Sequence, residues 1–104
     1  MDGNRDVRRI KGMLERFPDL DVWFVGGKLD QSRLAKMKLE QNGIKFKPLR
    51  TRLFTQNKNA VDGLNPHNAL IILCEKWWEN PVADTDAFRW YLREAMFVKQ
   101  VGEI

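Results

Sequence analysis

Apolar residues recur at helical spacing early in the chain. Ile10, Met13, Leu14 and Phe17 fall on one face of a helix predicted from about Arg5 to Phe17, with Asn4 or Asp6 as its cap and Pro18 at its end. The next run, Leu20–Val25, is short, aromatic and β-branched, and Gly26-Gly27 closes it, which predicts a strand. Leu20, Val22 and Phe24 alternate with Trp23 and Val25, so both faces of this strand are apolar and both should be covered. A helix is predicted from about Gln31 to Gln41. Asp30 or Ser32 would start it, Asn42-Gly43 would end it in a left-handed turn, and Leu34 and Met37 would face inward.

The segment Ile44–Phe54 alternates on each side of Pro48 and slips phase there, as a bulge in an edge strand would. With that slip Ile44, Phe46, Leu49, Thr51 and Leu53 point inward, and Lys45, Lys47, Arg50 and Arg52 share the outer face. Strand, helix and strand make a β-α-β unit, whose connection is long enough for a parallel crossover. Two strands are few for a stable sheet, so a third is expected from residues 55–64 or from a second copy of the chain.

Asn65-Pro66 and Asn80-Pro81 bracket a predicted buried helix with Leu70, Leu73, Cys74 and Trp77 on one face, and a buried strand over Ala69–Cys74 competes with it. Asp84-Thr85-Asp86 opens a final predicted helix running to about Lys99. Phe88, Tyr91, Leu92 and Ala95 form its core stripe, and Trp90, Arg93 and Phe97 form a second stripe. The expected class is α/β, a single compact domain over residues 1–104. Its expected order is helix-strand-helix-strand-helix-helix, with a central β-α-β unit and a short sheet packed by about four helices.

Composition sharpens this picture in two ways. Four Trp and six Phe in 104 residues are more than a core this small easily hides, so some rings should sit at a surface that meets a partner. A single cysteine, Cys74, allows no disulfide within the chain and points to a reducing compartment. The first residues lack an apolar signal core, and the longest apolar run, Ala69–Cys74, falls far short of the roughly 20 residues that cross a bilayer. A cytoplasmic protein without membrane contact is expected.

The net charge of +4 is unevenly spread. Residues 1–27 balance, residues 28–58 hold nine basic groups against Asp30 and Glu40, and residues 59–104 carry an acidic excess of three. A basic middle third attracts polyanions unless the acidic last third folds over it.

Tests for catalytic chemistry fail. His67 and Cys74, seven residues apart on the predicted helix, would lie about 10 Å apart, too far for a nucleophile and its base. One His and one Cys are too few for a transition-metal site, and no Asp or Glu is followed two residues later by Lys, the spacing common in metal-dependent nucleases. Gly26-Gly27-Lys28 sits where a phosphate cradle would, but Leu29 breaks the Walker pattern. The expectation is therefore a small regulatory protein without catalysis, metal or cofactor that binds DNA or RNA. Lys28, Lys38, Lys45, Lys47, Arg50 and Arg52 would hold phosphates, and Phe54 or an exposed Trp would stack on an unpaired base. The alternative is a protein-interaction module, a subunit or inhibitor of a larger assembly. It would meet a protein partner or a second copy through Trp90, Arg93 and Phe97.

Overall fold

Three helices and four strands make up the computed structural model, which describes residues 2–101 and side chains from residue 5 onward. In chain order they are α1 (Asp2–Arg16), β1 (Asp21–Val25), α2 (Leu29–Gln41), β2 (Thr51–Leu53), β3 (Ala69–Leu73), α3 (Asp86–Glu94) and β4 (Phe97–Gln100). The strands form one sheet in the order β2-β1-β3-β4, and every neighbouring pair is parallel. The fold is α/β. No described helix is long and apolar enough to cross a membrane.

Alternation along the strands divides the core into two layers. Leu20, Val22, Phe24, Leu70 and Ile72 face α1 and α2, meeting Val7, Ile10, Ala35 and Leu39. Trp23, Val25, Ala69, Ile71 and Leu73 face α3 and the long β2–β3 connection, meeting Phe54, Val61, Val82, Phe88 and Tyr91. Tyr91 stitches that connection to α3: its hydroxyl donates to the Val61 carbonyl and accepts from the Leu64 amide at 3.0 Å. On the other face Lys99 reaches Asp6 at 2.8 Å and ties β4 to α1 through a largely buried ion pair.

The β-α-β unit forms as the pattern predicts, with Val22, Trp23 and Phe24 opposite Thr51, Arg52 and Leu53. Only the second half of Ile44–Phe54 is strand. Residues 44–47 are irregular and Pro48–Arg50 is a 3-10 turn, so the phase slip is a turn rather than a bulge, and Leu49 stands fully exposed instead of inward.

Ala69–Leu73 is a strand, not part of a helix spanning residues 65–80, and all five of its residues are buried. Burial on two faces is what a central strand between β1 and β4 provides, and a short apolar run satisfies it as readily as a helix does. Residues 55–64 contribute no strand; Lys58–Val61 is a 3-10 turn. The final helix stops at Glu94, because Phe97–Gln100 pairs with β3 and satisfies backbone groups that would otherwise be orphaned on a buried strand.

α1 already runs at Asp2, so Asn4 and Asp6 lie within it and do not cap it. α2 begins two residues earlier than predicted. Gln31 Oε1 accepts from the Lys28 amide at 2.7 Å while the Gln31 amide donates to the Lys28 carbonyl, closing the first turn without Asp30 or Ser32 as cap. Its buried stripe is Ser32, Ala35 and Leu39. The small residues let the helix press close to the sheet and turn Leu34 and Met37 outward, 44% and 46% exposed.

The carboxyl ends of the strands are locked together. Buried Asn80 donates through Nδ2 to the Gly26 carbonyl at 2.8 Å and the Thr55 carbonyl at 3.1 Å, and its Oδ1 accepts from the Val82 amide at 3.0 Å. Gly27 lies so near Lys76 that an added Cβ would stand 2.8 Å from the Lys76 carbonyl oxygen. Asn80→Ala should therefore cost about 1–3 kcal/mol in urea unfolding. Gly27→Ala should cost a similar amount, roughly 1–3 kcal/mol, by overpacking. A variant within 0.5 kcal/mol of the parent, roughly the effect of an ordinary surface substitution, would refute the corresponding contact's role.

Candidate nucleic-acid interface

Lys45, Lys47, Arg50 and Arg52 are all exposed. Local packing explains each. Ile44 is buried in the α1–α2 layer and Phe46 sets its ring edge-on to Phe24 at 5.2 Å, so the alternate residues Lys45 and Lys47 turn outward. Arg50 ends the 3-10 turn, and Arg52 sits mid-β2 opposite Trp23. One hollow is lined by Lys45, Lys47 and Arg50, and a second, about 420 Å³, by Leu49, Arg50 and Arg52. Arg50 belongs to both and joins the four cations into one strip along the β2 edge.

Among the described residues, no acidic group of the last third forms an ion pair with this strip. Its counter-charges are Asp19, 3.4 Å from Lys47, and Asp21, 3.2 Å from Arg50, both supplied by the chain around the start of β1. These pairs are solvent-exposed, and such pairs contribute about 0–1 kcal/mol, so a phosphate can displace the carboxylate. Lys45 and Arg52 make no ion pair among the described residues. Asp19 and Asp21 lie 28 and 29 positions before their partners, and no local spacing in the sequence reveals them.

The other residues expected to hold nucleic acid do not join the strip. Lys28 is exposed at the start of α2, and Lys38 lines a different cleft. Phe54 is buried, with its ring 5.7 Å from Trp23 and 6.3 Å from Phe88, and is unavailable for stacking on a base. Its position just beyond the short β2, where the chain turns over the α3 layer, puts it in the core.

Trp90, Arg93 and Phe97 do not form a stripe. α3 ends before Phe97, which lies in β4 opposite Leu70 and packs its ring 5.5 Å from Phe17 in the α1–α2 layer. Trp90 and Arg93 remain exposed on α3, with Trp90 edge-on to His67 at 5.8 Å.

The Gly26-Gly27 turn does not offer a phosphate cradle. The Gly27 amide donates to the Glu75 carbonyl at 3.1 Å and the Lys28 amide to Gln31, so these two amides are already bonded and are not free for an oxyanion. No group of three His, Cys, Asp or Glu among the described residues is placed to hold a metal ion.

His67 and Cys74 flank β3 at opposite ends, about 20 Å apart by strand rise rather than two helical turns. Burial pushes the Cys74 thiol up to about 12 from 9.0, opposed in small part by the neighbouring Ser32 hydroxyl and the Val25 backbone. A protonated thiol is a poor nucleophile. The folded chain should resist a thiol-specific reagent at pH 8, and one thiol should react on unfolding in urea; rapid labelling of the folded chain would refute this burial. The raised value makes the thiol's contribution to stability complete below pH 9.0 and lost as pH climbs toward about 12. Cys74→Ala should remove that part of the alkaline loss. No family model, no curated protein and no solved structure matches this chain.

Proposed function

We propose that this chain is a non-catalytic nucleic-acid-binding domain that grips phosphates along the β2 edge. The observation that carries the reading is the strip of Lys45, Lys47, Arg50 and Arg52, four exposed cations met, among the described residues, by two weakly held carboxylates, Asp19 and Asp21. Cations on a protruding edge can follow a phosphate backbone without entering a groove, and such contacts carry affinity without sequence information. With Phe54 buried, the reading does not rest on stacking by that ring. The mechanism is exchange: Lys47 and Arg50 release Asp19 and Asp21, and condensed counterions leave the nucleic acid.

A second reading is favoured by one feature. β4 is the edge strand at the other end of the sheet, and Met96 beside it and Val98 within it are exposed. An open strand edge with apolar neighbours is suited to strand addition by a second copy of the chain. Concentration-dependent dimerisation abolished by Val98→Lys supports this reading, and a monomer at high concentration excludes it.

Binding to labelled single-stranded and duplex oligonucleotides should weaken with salt at a log–log slope of about −3 for single strands and nearer −4 for duplex if all four cations engage. Arg50→Ala with Arg52→Ala should reduce the magnitude of the slope by about 1.4 for single strands. Both side chains are exposed, so the double variant should unfold at nearly the parent's denaturant midpoint. Absence of binding at low salt, or an unchanged slope in the double variant, refutes the proposal.

A further inference from the structure

A sizeable opening in the fold lies away from the basic strip. In a doubly covered parallel sheet, ligands enter where neighbouring strands send their connections to opposite sides, outside the carboxyl ends. Here that point falls between β1, which leads through α2 to β2, and β3, which leads through α3 to β4. Directly over the sheet it is shut, because Gly27 rests on Lys76 and Asn80 clamps the turn. An opening persists beside it, between α2 and the ends of β3 and β4, with a volume of about 470 Å³. That volume lies within the roughly 300–1,000 Å³ of small-molecule sites.

Three features of the cleft act together. Leu34 from α2 and Trp78 from the turn after β3 both line it, and they are 44% and 56% exposed. Large apolar groups wetted on one cavity rim gain from an occupant that excludes water. Lys38 and Lys76 also line it, and neither makes an ion pair among the described residues. Glu75 is the carboxylate among the lining residues, so the cleft keeps a positive excess of one. Its floor includes Cys74, whose protonated thiol adds no charge. An indole face suits a planar ring, and two unpaired ammonium groups suit an acidic substituent.

We propose that this cleft binds a small organic anion with a planar apolar body, held by Trp78 and Leu34 on its ring and by Lys38 and Lys76 on its acidic group. This activity is separate from phosphate contact at the β2 edge and does not depend on it.

The probe is 8-anilinonaphthalene-1-sulfonate, with uncharged N-phenyl-1-naphthylamine as its comparator, titrated against the full chain under conditions where near-ultraviolet circular dichroism reports native packing. The expected result is saturable one-to-one binding of the sulfonate. Trp78→Ala should weaken both probes about tenfold, a loss of the size expected for an exposed stacking contact. Lys38→Gln with Lys76→Gln should weaken the sulfonate about tenfold and leave the neutral probe unchanged, as loss of charge-assisted contacts requires. All three substituted side chains line an open cleft, and an unchanged denaturation midpoint checks that each variant is folded. Arg50→Ala with Arg52→Ala should leave both probes unaffected, which separates failure here from failure at the β2 edge. Absence of saturable sulfonate binding overturns the proposal. So does binding that ignores Trp78→Ala, or that falls equally for both probes in the double lysine variant.

Discussion

The close approach of Gly27 to the Lys76 carbonyl organises the carboxyl end of this fold. A side chain at position 27 would collide with backbone that cannot yield, and Lys76 itself sits in the left-handed region at φ +56°, a conformation that costs an L residue roughly 1–2 kcal/mol. The turn stays there because backbone and side-chain hydrogen bonds hold it to the neighbouring segments. Gly27 donates to Glu75, Cys74 donates to Val25, and the Asn80 amide binds Gly26, Thr55 and Val82 at once. One buried amide thus joins the segments that follow β1, β2 and β3, and leaving its partners unpaired in the interior would be costly.

Two consequences follow for ligands. The Gly27 and Lys28 amides are spent on structure, and the glycine pair lets the turn pack against Lys76. The space that doubly wound folds open between their central strands is moved aside, to the cleft bordered by α2, where Leu34 and Trp78 are left wet. The small stripe Ser32–Ala35–Leu39 has the same effect from the helix side. By bringing α2 down onto the sheet it rotates Leu34 and Met37 away from the core. At the other end of the strands, the short β2 and its 3-10 turn push Leu49, Arg50 and Arg52 outward while Ile44 and Phe46 turn in.

Where an element's pattern is local, the sequence is readable. α1, β1 and α2 lie within a few residues of their predicted ranges, because helical spacing, a two-sided apolar strand, a glycine pair and Asn42-Gly43 each act over a few neighbours; Gly43 takes φ +92° as that turn requires. The exposure of Lys45, Lys47, Arg50 and Arg52 is legible for the same reason. The Ala69–Leu73 run and the Phe97–Gln100 segment are different. Each has the apolar content of a helix or a strand, and the decision rests on pairing with chain far away: Leu70 with Val22 on one side and with Phe97 on the other. Phe97 accordingly left the expected partner surface for the core, and Phe54 left the expected base-stacking position for the same reason.

By itself, then, the sequence determined the α/β class, the β-α-β start and the concentration of cations before residue 58, all of which follow from short-range periodicity and charge order. Tertiary structure alone decided three things: the two additional parallel strands, the carboxylates that meet the cations, and the place where space remains. Asp19 and Asp21 reach Lys47 and Arg50 across 28 and 29 residues, and the cleft exists only where α2, the end of β3 and the end of β4 converge. The physical reason is that backbone pairing, ion pairing and cavity shape depend on distances between segments, and those distances are set by the packed sheet rather than by the order of residues along the chain.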